Sequence, residues 1–172
     1  LQSLTVAALF LGAIAGCGQA VSEPRTVDTS AGKVVVEELV RGLDHPWGLA
    51  FLPDGRILVT QLGGSMVIVS ADGKSVSAAI SGVPAVVAAG QGGLLDVALD
   101  PDFATDPWIY FTFSEAGSGG SGTAVARGRL VGNALQGTEV IFRQLPKTDG
   151  DGHFGSRLVF GTDKTLFVTL GE

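Results

Sequence analysis

The sequence predicts an all-β fold, a β-propeller of four-stranded blades, and three observations carry that prediction. Three stretches resemble one another: LAFLPDGRILVT (Leu49 to Thr60), VALDPDFATDPWIYFT (Val97 to Thr112) and LVFGTDKTLFVT (Leu158 to Thr169). No long segment after the first twenty residues shows helical periodicity. Glycine is abundant, 26 of 172 residues or about 15% against a usual ~7%, while charged residues make up only 16%. Many glycines and few charges fit short buried strands joined by tight turns.

Each of the three stretches is a short apolar strand, a turn carrying aspartate, and a second apolar strand ending in threonine. The turn aspartates are Asp54, Asp102 and Asp163. Aspartate suits these places because its carboxylate bonds the backbone just ahead of it. Repeats of about 40–50 residues with several strands each mark propeller blades. Further strands are expected at Val34 to Val40, Met66 to Ser70, Ala124 to Leu130 and Val140 to Gln144. About four strands per repeat gives roughly two and a half to three blades, a partial ring against the ~4–8 of a closed propeller. The low-complexity run GSGGSG, Gly117 to Gly122, reads as a flexible inserted loop that delays the third copy. A β-sandwich is the other all-β possibility, but it leaves the repeated unit unexplained.

Three spans organise the chain. Residues 1–16 read as a lipoprotein signal peptide, 17–32 as a lipidated cysteine and tether, and 33–172 as the N-terminal part of the propeller. The apolar run Thr5 to Gly16 is shorter than the ~20 residues that span a bilayer as a helix. It suits a signal-peptide apolar region, although a basic start is missing. It ends Ile14-Ala15-Gly16-Cys17, small residues before a cysteine, as in a bacterial lipobox. Cys17 is the only cysteine, so no internal disulfide exists, and acylation would account for it. A core helix ending in a free thiol is the alternative. The chain does not begin with Met and stops just after a strand-like run, so we expect a fragment, exported to the periplasmic or cell-surface side of a membrane. The net charge of −6 argues against nucleic acid and anionic lipid as partners, which require basic patches.

Two residues are placed for chemistry. Gln91 lies in GQGG and His153 follows KTDGDG, each at the mouth of a strand. Flanking glycines let a backbone approach a ligand closely, and an imidazole, with an ordinary pKa of about 6.5, can take a proton near neutrality. Each residue alone also reads as a solvent-exposed turn residue. His45, before Pro46, reads as turn structure. Asp149 and Asp151 resemble the start of a calcium loop, but Phe160 stands where its bidentate glutamate belongs. No metal site is assigned to this chain.

Taken in order, GLDHPWGLAFLPDGRILVTQ, GQGGLLDVALDPDF, HFGSRLVF and FVTLG resemble the glucose/sorbosone dehydrogenase family, the soluble aldose sugar dehydrogenases that use pyrroloquinoline quinone (PQQ). The resemblance covers about Val34 to Glu172. It implies a six-bladed propeller with the quinone at the top of the channel. It implies that His153 is the general base for the sugar's anomeric hydroxyl, that Gln91 borders cofactor and sugar, and that an external electron acceptor reoxidises the quinone. The arginines and lysine for the quinone carboxylates, and the Ca2+ ligands, are expected beyond Glu172, so the fragment alone would be inactive. The only membrane contact expected is through the lipid.

The match has departures. Gln61 stands where relatives often have Glu, Asp100 replaces a common His, and GE replaces the usual GDR. Gly152 precedes His153 where the glucose-specific branch has Asp, and Asp151 is the candidate substitute for orienting the imidazole. Two other functions remain open: a non-catalytic propeller lipoprotein binding carbohydrate or protein, and a lactonase-type propeller hydrolase. The latter would need several metal-binding carboxylates in its channel.

Overall fold

A computed structural model describes residues 22–171, which divide into two compact units at Glu38 and Leu39. The apolar run and Cys17 lie outside the described residues. In the first unit, β1 (Arg25–Thr29) pairs antiparallel with β2 (Gly32–Val36). Residues 25–29 were expected in a tether. They form a strand instead, because Thr29 Oγ1 organises the turn: it accepts the Ala31 amide at 3.2 Å and donates to the Gly32 carbonyl at 2.7 Å.

The second unit is a series of antiparallel sheets, with no helix among the described residues. The first sheet holds β3 (Pro46–Phe51), β4 (Ile57–Gln61) and β5 (Ser65–Val69). Its fourth strand is irregular: Ser77 and Ile80 amides donate to the carbonyls of Ile68 and Met66. The second sheet is a complete four-stranded meander of β6 (Leu94–Leu99), β7 (Trp108–Gly117), β8 (Gly120–Val131) and β9 (Ala134–Arg143). The third begins with β10 (Leu158–Phe160) and β11 (Leu166–Val168). The three repeats are therefore the first two strands of three successive blades.

Period-two alternation sorts β7 between its neighbours. Ile109, Phe111 and Phe113 lie on one face and pack with Leu58, Met66 and Ile68 of the first blade in one buried cluster. Each such side chain contributes roughly 1.5–3 kcal/mol when fully buried. Tyr110 and Thr112, on the opposite face, meet the third blade. Tyr110 sits edge-on to Phe160 at 5.2 Å, and Thr112 Oγ1 donates to the Ser156 carbonyl at 2.9 Å.

The terminal threonines join blade to blade. β3 and β6 each carry a register shift, between Pro46 and Leu49 and between Leu94 and Val97. Such bulges leave a ladder donor unpaired. Thr60 Oγ1 accepts the Gly48 amide at 2.9 Å and donates to the Leu95 carbonyl of the next blade at 2.5 Å. Thr112 repeats this, accepting the Asp96 amide at 2.9 Å before reaching Ser156. Thr169 Oγ1 accepts the Arg157 amide at 2.9 Å. Gly48, Asp96 and Arg157 thus hold equivalent places in the three repeats.

The turns differ in detail. Asp54 and Asp163 accept the amides of Arg56 and Thr165, as expected. In the longer middle turn that task falls to Asp100, which accepts the Asp102 amide at 2.8 Å. Asp102 instead takes Lys164 Nζ of the third blade at 2.5 Å. The GSGGSG run is not an inserted flexible loop. It closes the β7–β8 hairpin, with Gly117 opposite Gly120 in the ladder and Ser118-Gly119 as the turn.

Candidate functional site

The segments leading into β3, β6 and β10 occupy equivalent positions at the mouths of the three inner strands. His45 is in the first, Gln91 in the second and His153 in the third. Gln91 and His153 are brought together: Gln91 Oε1 accepts the His153 backbone amide at 2.9 Å across 62 residues of sequence. The Gln91 amide in turn donates to the Asp151 carbonyl at 2.6 Å. The two segments are tied by a side chain one way and by backbone the other.

Close approach explains the glycine before Gln91. Gly90 has φ +55, and a Cβ there would sit 2.4 Å from the Asp151 carboxylate carbon. His153 has φ +60 and Ser156 φ +73, a left-handed backbone that costs a non-glycine residue about 1–2 kcal/mol. It is held by the surrounding bonds. The Phe154 carbonyl accepts Thr123 Oγ1 at 2.6 Å and Ser156 Oγ at 3.1 Å, and Phe154 itself is buried. Strained backbone so firmly determined is a recurrent feature of functional sites.

The chemical groups left available are specific. Because the His153 amide is a donor, it fixes the Gln91 carboxamide with its oxygen inward. Among the described residues the Gln91 NH2 group then has no acceptor. Both side chains are exposed, and among the described residues no hydrogen bond engages the His153 imidazole. Asp151 is therefore not bonded to that ring; its backbone serves Gln91. His45 is different. Its Nδ1 meets Asp44 Oδ1 at 2.6 Å and its carbonyl accepts the Leu62 amide, which fits its reading as a turn residue.

Below this rim lie residues that sequence reasoning missed. Asp96 is 2% exposed, with Oδ1 2.8 Å from Arg157 Nη1 and Oδ2 accepting the Leu158 amide at 2.7 Å. The Arg157 guanidinium lies 5.1 Å from the ring centre of Trp47. A charged residue inside the apolar run LLDVAL was the available signal. The substituted positions have structural partners too. Gln61 Oε1 accepts the Asp44 amide at 2.5 Å and its Nε2 donates to Ser65 Oγ at 2.7 Å. Asp100 accepts the Tyr110 hydroxyl at 3.2 Å.

With this geometry in view, comparison with known proteins decides the family. The profile of Glucose / Sorbosone dehydrogenase matches residues 43–172. The chain belongs to the glucose/sorbosone dehydrogenase family. It is 51% identical over 143 residues to aldose sugar dehydrogenase YliI of Escherichia coli (strain K12), covering 81% of this chain and 38% of that protein. The solved apo-form of the soluble aldose sugar dehydrogenase (Asd) from Escherichia coli superimposes with a TM-score of 0.71 at 50% identity, covering 76% of this chain and 38% of that one. The PQQ-bound aldose sugar dehydrogenase (Adh) of Streptomyces coelicolor does so with a TM-score of 0.66 at 33% identity, covering 78% and 40%. The chain spans about two fifths of the length of the curated relatives it matches, 38% and 42% for two of them. The blades described above are accordingly part of a dehydrogenase-family propeller, as the repeat predicted.

Proposed function

We propose that this chain carries the proton acceptor and a substrate-facing amide of a PQQ-dependent dehydrogenase that oxidises the anomeric CH–OH of aldoses to a lactone. One observation carries the reading: in a member of this family, Gln91 and His153 stand side by side on one rim, with the imidazole and the carboxamide NH2 both unengaged among the described residues. The donor set suits the group. A free NH2 complements the carbonyl oxygens of a quinone or the hydroxyls of a sugar, and a free imidazole complements an acidic hydroxyl proton.

Bound PQQ would supply the two-electron centre that accepts the hydride from the anomeric carbon. His153 takes the anomeric O–H proton as the C–H bond breaks, so that the ring oxygen and the new carbonyl form the lactone. Gln91 has two tasks. Its oxygen fixes the backbone of His153, and its NH2 orients the sugar or the quinone edge. A positioned base of this kind contributes about 10²–10⁴-fold. Quinone carboxylates and Ca2+ would be held by residues C-terminal to those described. Among the described residues no three His, Cys, Asp or Glu side chains converge, and none is assigned to the metal. An external acceptor would then reoxidise the cofactor. The lipobox-like run ending at Cys17 supports placement on the periplasmic or cell-surface side, held by lipid alone.

The test uses the full-length protein. Dye reduction with aldoses should require PQQ. His153→Ala should lower kcat by about 10²–10⁴-fold while PQQ titration changes little, and Gln91→Ala should act more mildly. Near-wild-type turnover by His153→Ala with quinone binding intact would sink the mechanism and favour a binding module.

A further inference from the structure

Lys147 has an unusual seat. Its side chain is 4% exposed, although it carries a charge, and its Nζ lies 3.1 Å from Glu115 Oε2 and 3.4 Å from the Gly122 carbonyl. Glu115 also takes Arg143 Nε at 2.9 and 3.0 Å. The lysine stem lies flat across the end of the β7–β8 hairpin, and the GSGGSG composition makes that possible. A Cβ at Gly117 would sit 2.8 Å from Lys147 Cγ, and one at Gly122 would sit 3.1 Å from Cδ. The next residue docks through backbone. Thr148 and Ser121 exchange hydrogen bonds at 3.0 and 3.1 Å, and a Cβ at Gly120 would lie 2.0 Å from the Thr148 carbonyl oxygen. Ser121 Oγ then donates to the Gly150 carbonyl at 3.4 Å. Beyond that point the chain passes to the Gln91 turn, through Asp151 and His153.

We propose that Lys147 is a positioning residue for His153. The glycine hairpin is a seat shaped for its stem, and the ion pair of the buried lysine with the half-buried Glu115 locks the segment 147–152 onto that seat. The segment is held at one end by the hairpin and at the other by Gln91. Its geometry therefore fixes where the strained His153 backbone presents the imidazole. Lys147 does not itself reach the rim, since its ammonium is enclosed. This inference rests on the reading of His153 as the proton acceptor. Misplacing a reacting group by about 1 Å can cost about 10²-fold.

The experiment uses the full-length protein and compares Lys147→Met, Gly120→Ala and His153→Ala. Gly120→Ala displaces the same segment through the Thr148 carbonyl without touching the charge, and it decides the matter if Lys147→Met does not fold. Each of the two variants should lower kcat about 10- to 100-fold with KM within about threefold. Neither should lower the residual rate further when combined with His153→Ala. Independently of turnover, amide exchange in the apo-protein should accelerate at least about tenfold across residues 147–153 and stay unchanged in the first blade, β3–β5. Folded variants with wild-type kcat and unchanged exchange, beside a His153→Ala that has lost turnover, would overturn the positioning role alone. Further loss in the His153→Ala background would also overturn it, since the lysine would then act elsewhere. A His153→Ala that keeps its turnover would instead remove the base assignment on which the inference stands.

Discussion

Asp96 and Arg157 are paired across two blades, Oδ1 to Nη1 at 2.8 Å, with the other carboxylate oxygen on the Leu158 amide at 2.7 Å. The acid is buried and the arginine side chain is 57% exposed. The bond therefore does more for the third blade's first strand than for the arginine, which water also serves.

Asp96→Ala should thus cost about 1–3 kcal/mol, because it strands the buried Leu158 amide while water serves the exposed guanidinium. Arg157→Met should cost more, about 3–5 kcal/mol, because it leaves the buried carboxylate without its cation, held by the Leu158 amide alone. Chemical denaturation of the full-length variants, with the double variant to close the cycle, measures both. Equal costs would contradict the asymmetry.

Thr60 and Thr112 make a second, independent test of how the blades are joined. Thr112→Val keeps the shape but leaves the Asp96 amide and the Ser156 carbonyl without their shared hydroxyl. The expected loss is about 1–3 kcal/mol. Thr112→Ser retains the oxygen and should recover most of that loss. Thr60→Val should behave alike through Gly48 and Leu95. A valine as stable as the wild type would show that the hydroxyls are not needed for the blade contact.

Glu115 links the Lys147 seat to pH. Burial raises its carboxyl pKa, but hydrogen bonds from Lys147 and Arg143, with their charges, outweigh that and hold it below the ordinary 4.5. A carboxyl depressed by folding binds its proton more readily in the unfolded chain. Its stabilisation is therefore complete above about pH 4.5 and fades as pH falls through the folded value. Glu115→Gln should flatten the acid limb of the stability curve in that window. A limb of unchanged slope would mean that the pair adds nothing on folding.

Cys17 is the remaining prediction. Expressed in bacteria from a restored precursor, wild-type protein should partition with detergent-extracted membranes, and Cys17→Ser should be released or remain unprocessed. Equal solubility and processing of the two would remove the lipid anchor.

The blade was readable from local pattern. The alternation in WIYFTF, the aspartate turns and the closing threonines all follow from backbone preferences that act within a dozen residues. They located the paired strands β3–β4, β6–β7 and β10–β11. Gln91 and His153 stood out for a similar reason, as polar residues among glycines at strand mouths. Their mutual bond was not legible, because it joins positions 62 apart. GSGGSG was misread for a related reason. Composition reports that glycines are permissive, and a flexible loop and a low platform under a lysine have the same composition.

The sequence by itself determined the strand repeat, the turn chemistry, the family resemblance and the two residues worth testing. The tertiary structure alone decided what each threonine bonds, where Asp96 sends its carboxylate and why Lys147 is buried. The physical reason is one of range. Propensity and periodicity are properties of neighbouring residues, whereas the hydroxyl, carboxylate and ammonium partners here lie far along the chain, and only packing brings them within hydrogen-bond reach of one another.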